Sequence, residues 1–312
     1  MATLIVDHVH KTYGDTKAVN DVSFTAEPGR ILGVLGPNGA GKTSTIRMIT
    51  NMTIPDAGSV TYDGRTVGPW SQRRLGYLPE ERGLYKDLRV REQLVYLGQL
   101  KGMHQKEAEA RTQHWLERFE AAGWGDMKTD ELSKGMQQKI QFIATLLHDP
   151  SLLIFDEPFS GLDPINSDLL RDIILELRRD DRTILFASHR MEQVEQLCDD
   201  ICLMAQGQVV LEGALREIKQ QFGKNTIIVG FEGDDAFLDQ LEAAGAVRIH
   251  TRSTHRAEMR LLNGTSPRAV LNATLEAVDE LHHFERVEPP LSEIFVDVVG
   301  RTQSEERTSV AA

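Results

Sequence analysis

The sequence predicts an α/β fold with a parallel sheet, on three observations. The apolar run Ile31–Leu35 feeds straight into a glycine-rich turn and then a helix. The run Leu152–Phe155 is continuously apolar, as in strands buried on both faces. Beyond it, helical and strand patterns alternate: Leu169–Leu177 is helical, Thr183–Ala187 a strand, Met191–Leu197 helical, and Ile201–Met204 and Val209–Leu211 are strands about Gln206-Gly207.

In chain order, Leu4–Val9 and Val19–Thr25 read as strands about the turn Tyr13-Gly14-Asp15, an opening antiparallel sheet. After the turn Glu27-Pro28-Gly29 comes the strand that ends in Gly36-Pro37-Asn38-Gly39-Ala40-Gly41-Lys42-Thr43. This spacing is that of a phosphate-binding P-loop. Its glycines let backbone N–H groups close round phosphates, Lys42 reaches the β and γ oxygens, and Thr43 offers a hydroxyl to Mg²⁺. Ser44 follows in the first turn of the helix, whose dipole favours the same anion. That helix continues through Ile46, Met48 and Ile49 until Pro55-Asp56-Ala57-Gly58 breaks it. Ser59–Tyr62 is a strand ending at the hairpin signal Asp63-Gly64, and Leu75–Leu78 is another, stopped by Pro79.

From Val90 the period becomes helical, through Leu94, Leu97, Leu100, Ala108, Trp115, Leu116 and Phe119, which predicts a helical subdomain over about residues 88–148. Within it Ser133 caps a helix running through Ile140, Ile143, Ala144 and Leu147 to Asp149-Pro150. The strand Leu152–Phe155 then delivers Asp156 and Glu157 to its C-terminal edge, where ligands bind in open α/β sheets. Neighbouring residues at a strand end point differently, which suits two roles. Asp156 is expected near Mg²⁺ through water, and Glu157 as the general base that polarises an attacking water.

A boundary is expected at Phe222-Gly223-Lys224-Asn225, giving a first domain over 1–222 and a second over 223–300. The second reads βαββαβ: Thr226–Phe231, Ala236–Ala244, Val247–His250, Glu258–Leu262, Arg268–Val278 and Phe284–Val287, a ferredoxin-like α+β unit. A short helix Leu291–Val299 and a disordered tail over 301–312 complete the chain. Arg248, His250, Arg252, His255, Arg256 and Arg260 make a basic hairpin in this otherwise acidic unit. It reads as a solvated face or an anion or RNA site, and no aromatic residue is interleaved for base stacking.

Composition bounds the function. A length of 312 residues suggests about two domains. The 47 acidic and 35 basic residues, net −12, oppose a nucleic-acid partner. Cys198 and Cys202 have neither redox nor zinc spacing. No apolar run approaches the ~20 residues needed to span a bilayer, and Met1–His10 lacks the features of a signal peptide. A cytoplasmic chain is expected, with any membrane role requiring a partner.

Here the chain resembles a known family, the ATP-binding subunits of ABC transporters, over about residues 1–220. Leu132-Ser133-Lys134-Gly135-Met136-Gln137-Gln138 is similar to the family signature Leu-Ser-Gly-Gly-Gln, with Lys134 and Met136 as departures and Ser133 and Gly135 retained. The resemblance implies that Ser133 and Gly135 contact the γ-phosphate of ATP held by a second subunit in a head-to-tail dimer, expected as a homodimer. Ser160-Gly161-Leu162-Asp163 resembles the D-loop, with Asp163 beside the nucleotide at the dimer interface. His189 stands where the family places its γ-phosphate histidine, and Tyr13 where an aromatic stacks on adenine. Glu80, in Tyr77-Leu78-Pro79-Glu80-Glu81, stands where the family has glutamine, near Mg²⁺ or the attacking water.

The family further implies ATP and Mg²⁺ as cofactors and an integral-membrane permease as partner, met by Glu80–Arg91 on the inner face of the cell membrane. Leu-Pro-Glu-Glu-Arg-Gly-Leu-Tyr, Ser-Lys-Gly-Met-Gln-Gln-Lys and the appended unit are similar to exporter-type subunits linked to sodium or drug efflux. The alternative is a soluble protein of the same superfamily acting on ribosomes, nucleic acid or assembly. A third reading makes the C-terminal unit a ligand-sensing module.

Overall fold

The computed structural model describes residues 3–310 other than residues 82, 180 and 224. The chain divides into two compact units, one comprising the chain up to Leu215 together with its end from Thr302, the other spanning Arg216–Arg301. This division falls before the boundary expected at Phe222–Asn225.

The first unit opens with β1 (Leu4–Tyr13) and β2 (Thr16–Ala26), a hairpin turning at Gly14, whose φ is +55°. β3 (Ile31–Leu35) leads through the glycine loop into α1 (Lys42–Ile49). β4 (Ala57–Tyr62) and β5 (Arg65–Thr66) join at Asp63 and Gly64, both left-handed, and β1, β2, β4 and β5 form the expected antiparallel sheet. β6 (Leu75–Leu78) precedes three helices, α2 (Val90–Leu100), α3 (Gln105–Arg118) and α4 (Lys134–Leu146). Then come β7 (Leu152–Asp156), α5 (Pro164–Leu177), β8 (Thr183–Ser188), α6 (Met191–Leu197), β9 (Asp200–Ala205) and β10 (Gln208–Ala214).

β9, β3, β8, β7 and β6 lie side by side in that order and run parallel, with β10 antiparallel on the outer flank of β9. Both faces are buried, which explains the unbroken apolar runs. Leu152, Ile154, Leu185 and Ala187 join one core with Val6, Val22 and Phe24 of the antiparallel sheet and Ile46 and Met48 of α1. On the other face Phe142 of α4 stacks on Phe155 at 4.8 Å between centroids, and Phe119 lies 5.6 Å from Phe142. Burying each such ring contributes about 2–3 kcal/mol, so β7 is held rigidly from both sides.

The second unit takes in α7 (Leu215–Phe222) from Arg216, then β11 (Thr226–Glu232), α8 (Ala236–Ala243), β12 (Val247–Ser253), β13 (Arg256–Leu261), α9 (Pro267–Ala277), β14 (Glu280–Val287) and, as far as Arg301, α10 (Leu291–Val310). Its sheet order β12-β13-β11-β14, all neighbours antiparallel, is the ferredoxin-like arrangement that the βαββαβ order predicts. Phe237, Leu238 and Val270 from the two crossing helices cover Ile227, Val229, Phe231 and Met259. The last helix is longer than expected: the backbone of residues 301–310, anticipated as a disordered tail, continues α10, while residues 311 and 312 lie outside the described residues.

Half of the basic hairpin is paired within this unit. Arg252 bonds Asp235 at 2.8 Å and Asp239 at 2.6 Å, and Arg260 pairs with Asp297 and lies 3.0 Å from Glu293. His250 lies 3.3 Å from the same Glu293. Three of its six basic side chains thus already face carboxylates, which favours the reading as a structural, solvated face over an anion or RNA site.

Candidate functional site

The parallel strands end in register on one edge, with Leu35 beside Ser188, Ala187 beside Asp156, and Phe155 beside Leu78. Four segments leave this edge together: the glycine loop, His189, Glu157 and Pro79–Glu81. β8 lies between β3 and β7, so His189 is carried between the loop and the acidic pair.

Backbone geometry explains the glycines. Gly36 has φ +147°, and a Cβ there would sit 2.2 Å from Met204 O; at Gly41, φ +101°, it would sit 2.5 Å from Ala18 O. The loop is therefore pressed against the turn from β9 and the start of β2. At Gly39, φ +82°, a Cβ would meet nothing within 4 Å, so its requirement is conformational and its outer side is open. Pro37, Asn38 and Ala40 complete the bend, which Ala40 N–H closes on Pro37 O at 3.1 Å. Ser44 stands in the first turn of α1 beside Thr43.

Lys42 folds across the loop, its Nζ donating to Gly36 O at 2.6 Å and Pro37 O at 3.1 Å. Burial lowers its pKa, opposed by the charges of Glu157, Asp156 and Glu80. Asp156 is 3% exposed. Burial first, then the neighbouring Glu80 and Glu157, push its carboxyl up to about 6, which Lys42 and Arg47 offset in part. Beside it burial and the Asp156 charge push the Tyr77 hydroxyl up to about 12. Thr43, Asp156 and Glu80, the three expected metal ligands, line one cleft of about 480 Å³. A buried carboxylate with an exposed carboxylate and an exposed hydroxyl on the same cleft wall suits a hard divalent cation, and a glycine loop crossed by a lysine suits a phosphate chain.

Glu157 adopts φ +50°, strained for a side-chain-bearing residue, and its N–H is pinned to Ala187 O at 2.9 Å. Its Oε1 accepts from His189 N–H at 2.7 Å and lies 2.6 Å from His189 Nδ1, while Oε2 accepts from Ser188 Oγ at 3.1 Å. The carboxylate is thus aimed by the end of β8. With Nδ1 committed to Glu157, Nε2 of His189 carries an N–H for an anion only in the imidazolium form. Ser188, Arg47 and Tyr77 are site residues that motif reading missed; the adjacency of Ser188 to His189 was the available signal for the first.

A second group stands together. Ser133 Oγ caps α4 by accepting from Met136 N–H at 3.3 Å, and Gly135 packs against Gly161 O, which a Cβ at Gly135 would meet at 3.5 Å. Asp163 caps α5, accepting from Asn166 N–H at 3.0 Å and Asn166 Nδ2 at 2.6 Å, bonds that hold its carboxyl below the usual range. Among the described residues no hydrogen bond joins this group to the glycine loop of the same chain. Tyr13 is exposed at the hairpin turn, with Lys11 Nζ 5.7 Å from its ring centre, so its face is available for stacking rather than packed in the core.

The raised Asp156 carboxyl has a stability consequence. Between about pH 4 and 6 the nucleotide-free folded chain holds a proton that the unfolded chain releases, so stability from this position falls as pH rises through that window. Asp156→Asn is expected to raise the thermal midpoint of the nucleotide-free protein near pH 8, with the gain vanishing near pH 4. Melting curves across that range check it.

The ABC transporter family matches residues 19–160, and the family of ATP-binding protein DrrA1-3-like C-terminal domains matches residues 213–299. The ABC transporter ATP-binding protein YhaQ of Bacillus subtilis (strain 168) is 43% identical over 297 residues, 95% of this chain and 98% of YhaQ. The Nod factor export ATP-binding protein I of Burkholderia lata is 33% identical over 298 residues, 94% of this chain and 96% of its own. Among solved structures, an ATP-binding subunit of an ABC transporter superposes with a TM-score of 0.66 at 30% identity, covering 70% of this chain and 93% of that one. The chain belongs to the ATP-binding subunits of ABC transporters, ATPases that hydrolyse ATP in transport, and it carries a DrrA-like C-terminal domain after the ATPase unit.

Proposed function

We propose that this chain powers an export permease as a head-to-tail pair of identical subunits, each glycine loop holding an ATP that the Ser133 and Gly135 of the partner copy seals. The observation that carries this reading is the separation of two half-sites. Lys42, Asp156, Glu157 and His189 gather on one sheet edge, while Ser133, Gly135 and Asp163 gather elsewhere in the same unit. A second copy brings the halves together.

In this reading the loop amides from Gly36 to Ser44 bind the phosphates, and Lys42 exchanges its carbonyl partners for phosphate oxygens. Tyr13 stacks on adenine, giving affinity with little base selectivity. Thr43, Asp156 and Glu80 are the residues that would hold Mg²⁺, which when bound neutralises charge on the phosphates. Glu157, aimed by His189 and Ser188, orients the attacking water and takes up its proton. As an imidazolium, with Nδ1–H on Glu157, His189 donates to a phosphate oxygen through Nε2–H, Asp163 joins at the subunit boundary, and closure of the pair excludes bulk water.

The permease is expected at the cleft near Glu80–Arg91. Leu84, Leu97 and Leu100 line it, Met52, Tyr85, Tyr96 and Leu100 are exposed, and Tyr85 and Tyr96 meet edge to face at 6.3 Å. Such an apolar groove beside a nucleotide site fits a helix of a membrane partner. Among the described residues no helix is long and apolar enough to cross a membrane, so attachment to the inner face falls to that partner. Export follows the similarity to the Nod factor export protein.

Copurification from detergent-solubilised membranes tests the reading. Recovery of a polytopic membrane protein whose transport stops with Glu157→Gln supports it; recovery of ribosomes or RNA in its place contradicts it.

A further inference from the structure

We infer that Gln141 is a positioning residue for ATP hydrolysis: it clamps the peptide on both sides of Glu80 and keeps that side chain beside Asp156. The inference rests on the reading of Glu80 as a site residue.

β6 is the edge strand of the parallel sheet, and an edge strand leaves alternate backbone groups without ladder partners. Arg74 O points inward, accepting from Leu152 N–H at 3.0 Å, so the carbonyls of Leu75 and Tyr77 point outward. One face of α4 and its C-terminal turn meets this row. His148 Nε2 lies 3.0 Å from Leu75 O, and Thr145 Oγ1 donates to Tyr77 O at 3.4 Å. Gln141 Nε2 donates to Glu81 O at 3.1 Å and to Pro79 O at 3.4 Å. Positions 141, 145 and 148 follow helical spacing, so a single face supplies all three contacts.

Thr145 and His148 seal a strand that β7 already holds. Gln141 reaches past the end of β6, where residues 79–81 have no ladder, and its two acceptors flank Glu80. Glu80 has reason to leave. Its side chain is exposed while Asp156 is buried, and like charges at short range repel, so an unrestrained carboxylate swings toward solvent. The buried Gln141 amide opposes that motion from the backbone. Because α4 begins at the Ser133 cap, the same helix carries the partner-facing serine at one end and the clamp on Glu80 two turns later.

The test uses the full chain, MgATP and single-turnover hydrolysis with a parallel binding titration. Gln141→Met keeps the length and packing of the side chain and removes both donors. It is expected to slow hydrolysis about tenfold with MgATP affinity within about twofold of wild type. Glu80→Ala is expected to slow hydrolysis by itself, and adding Gln141→Met to it to cause no further loss, since the clamp then has nothing to position. Equal slowing by Gln141→Met in both backgrounds makes Gln141 a merely structural residue and overturns the inference. A slow Glu80→Ala beside a wild-type rate for Gln141→Met overturns the inference alone. A wild-type rate for Glu80→Ala overturns the role of Glu80, and the inference with it.

Discussion

Glu157→Gln is expected to bind MgATP as the parent does, to lose at least about a hundredfold in turnover, and to elute with ATP as a stable dimer. The substitution fits the observed pocket. An amide oxygen still accepts from His189 N–H in place of Oε1, and the amide nitrogen donates to Ser188 Oγ, a hydroxyl that accepts as readily as it donates. Backbone strain at φ +50° is unchanged, so folding is preserved. What disappears is the ability to take a proton from water. Without turnover the closed pair has no route to open, and size exclusion with ATP and Mg²⁺ should show it. Turnover within a few-fold of the parent contradicts the assignment of Glu157 as base.

Lys42→Ala is expected to weaken MgATP binding by about 3 kcal/mol, roughly a hundredfold, read by fluorescence titration. The gross interaction of an ammonium with a phosphate chain is larger than this. The free lysine, however, already donates to Gly36 O and Pro37 O, and those bonds are surrendered when phosphate arrives. Its half-buried charge is also costly before nucleotide binds, as the lowered pKa indicates. Affinity therefore reflects the difference between two sets of partners. An unchanged titration would remove the glycine loop from the nucleotide site.

Local features of both sites were readable from sequence because they depend on neighbours along the chain. Gly36 and Gly41 are required by positive φ and close backbone contacts, Ser133 and Asp163 are caps with helices directly behind them, and Asp63-Gly64 carries its turn in two residues. Helix and strand periods located the units in the same way.

What depended on spatial neighbours was hidden. Nothing in the order of strands along the chain says that β8 lies between β3 and β7, and it is this placement that brings His189 onto Glu157. The basic hairpin looked unpartnered because Asp235 and Asp239 come from α8 and Glu293 and Asp297 from α10. Gln141 reads as one more polar residue on a helix until the edge of β6 is set beside it. Residues 301–310 are polar and charged with little apolar periodicity, and their backbone nonetheless continues the helix that Leu291 and Ile294 anchor.

Mixing two inactive chains puts the two half-sites to trial together. Lys42→Ala disables the phosphate loop and Ser133→Arg the sealing helix, so neither variant hydrolyses ATP alone. In a mixed pair the intact loop of the serine variant faces the intact helix of the lysine variant, which restores one working site. A clear recovery of ATPase activity on mixing, growing with protein concentration, is the predicted result. A mixture as inactive as its components, or full-rate hydrolysis by Ser133→Arg as a monomer, contradicts the account.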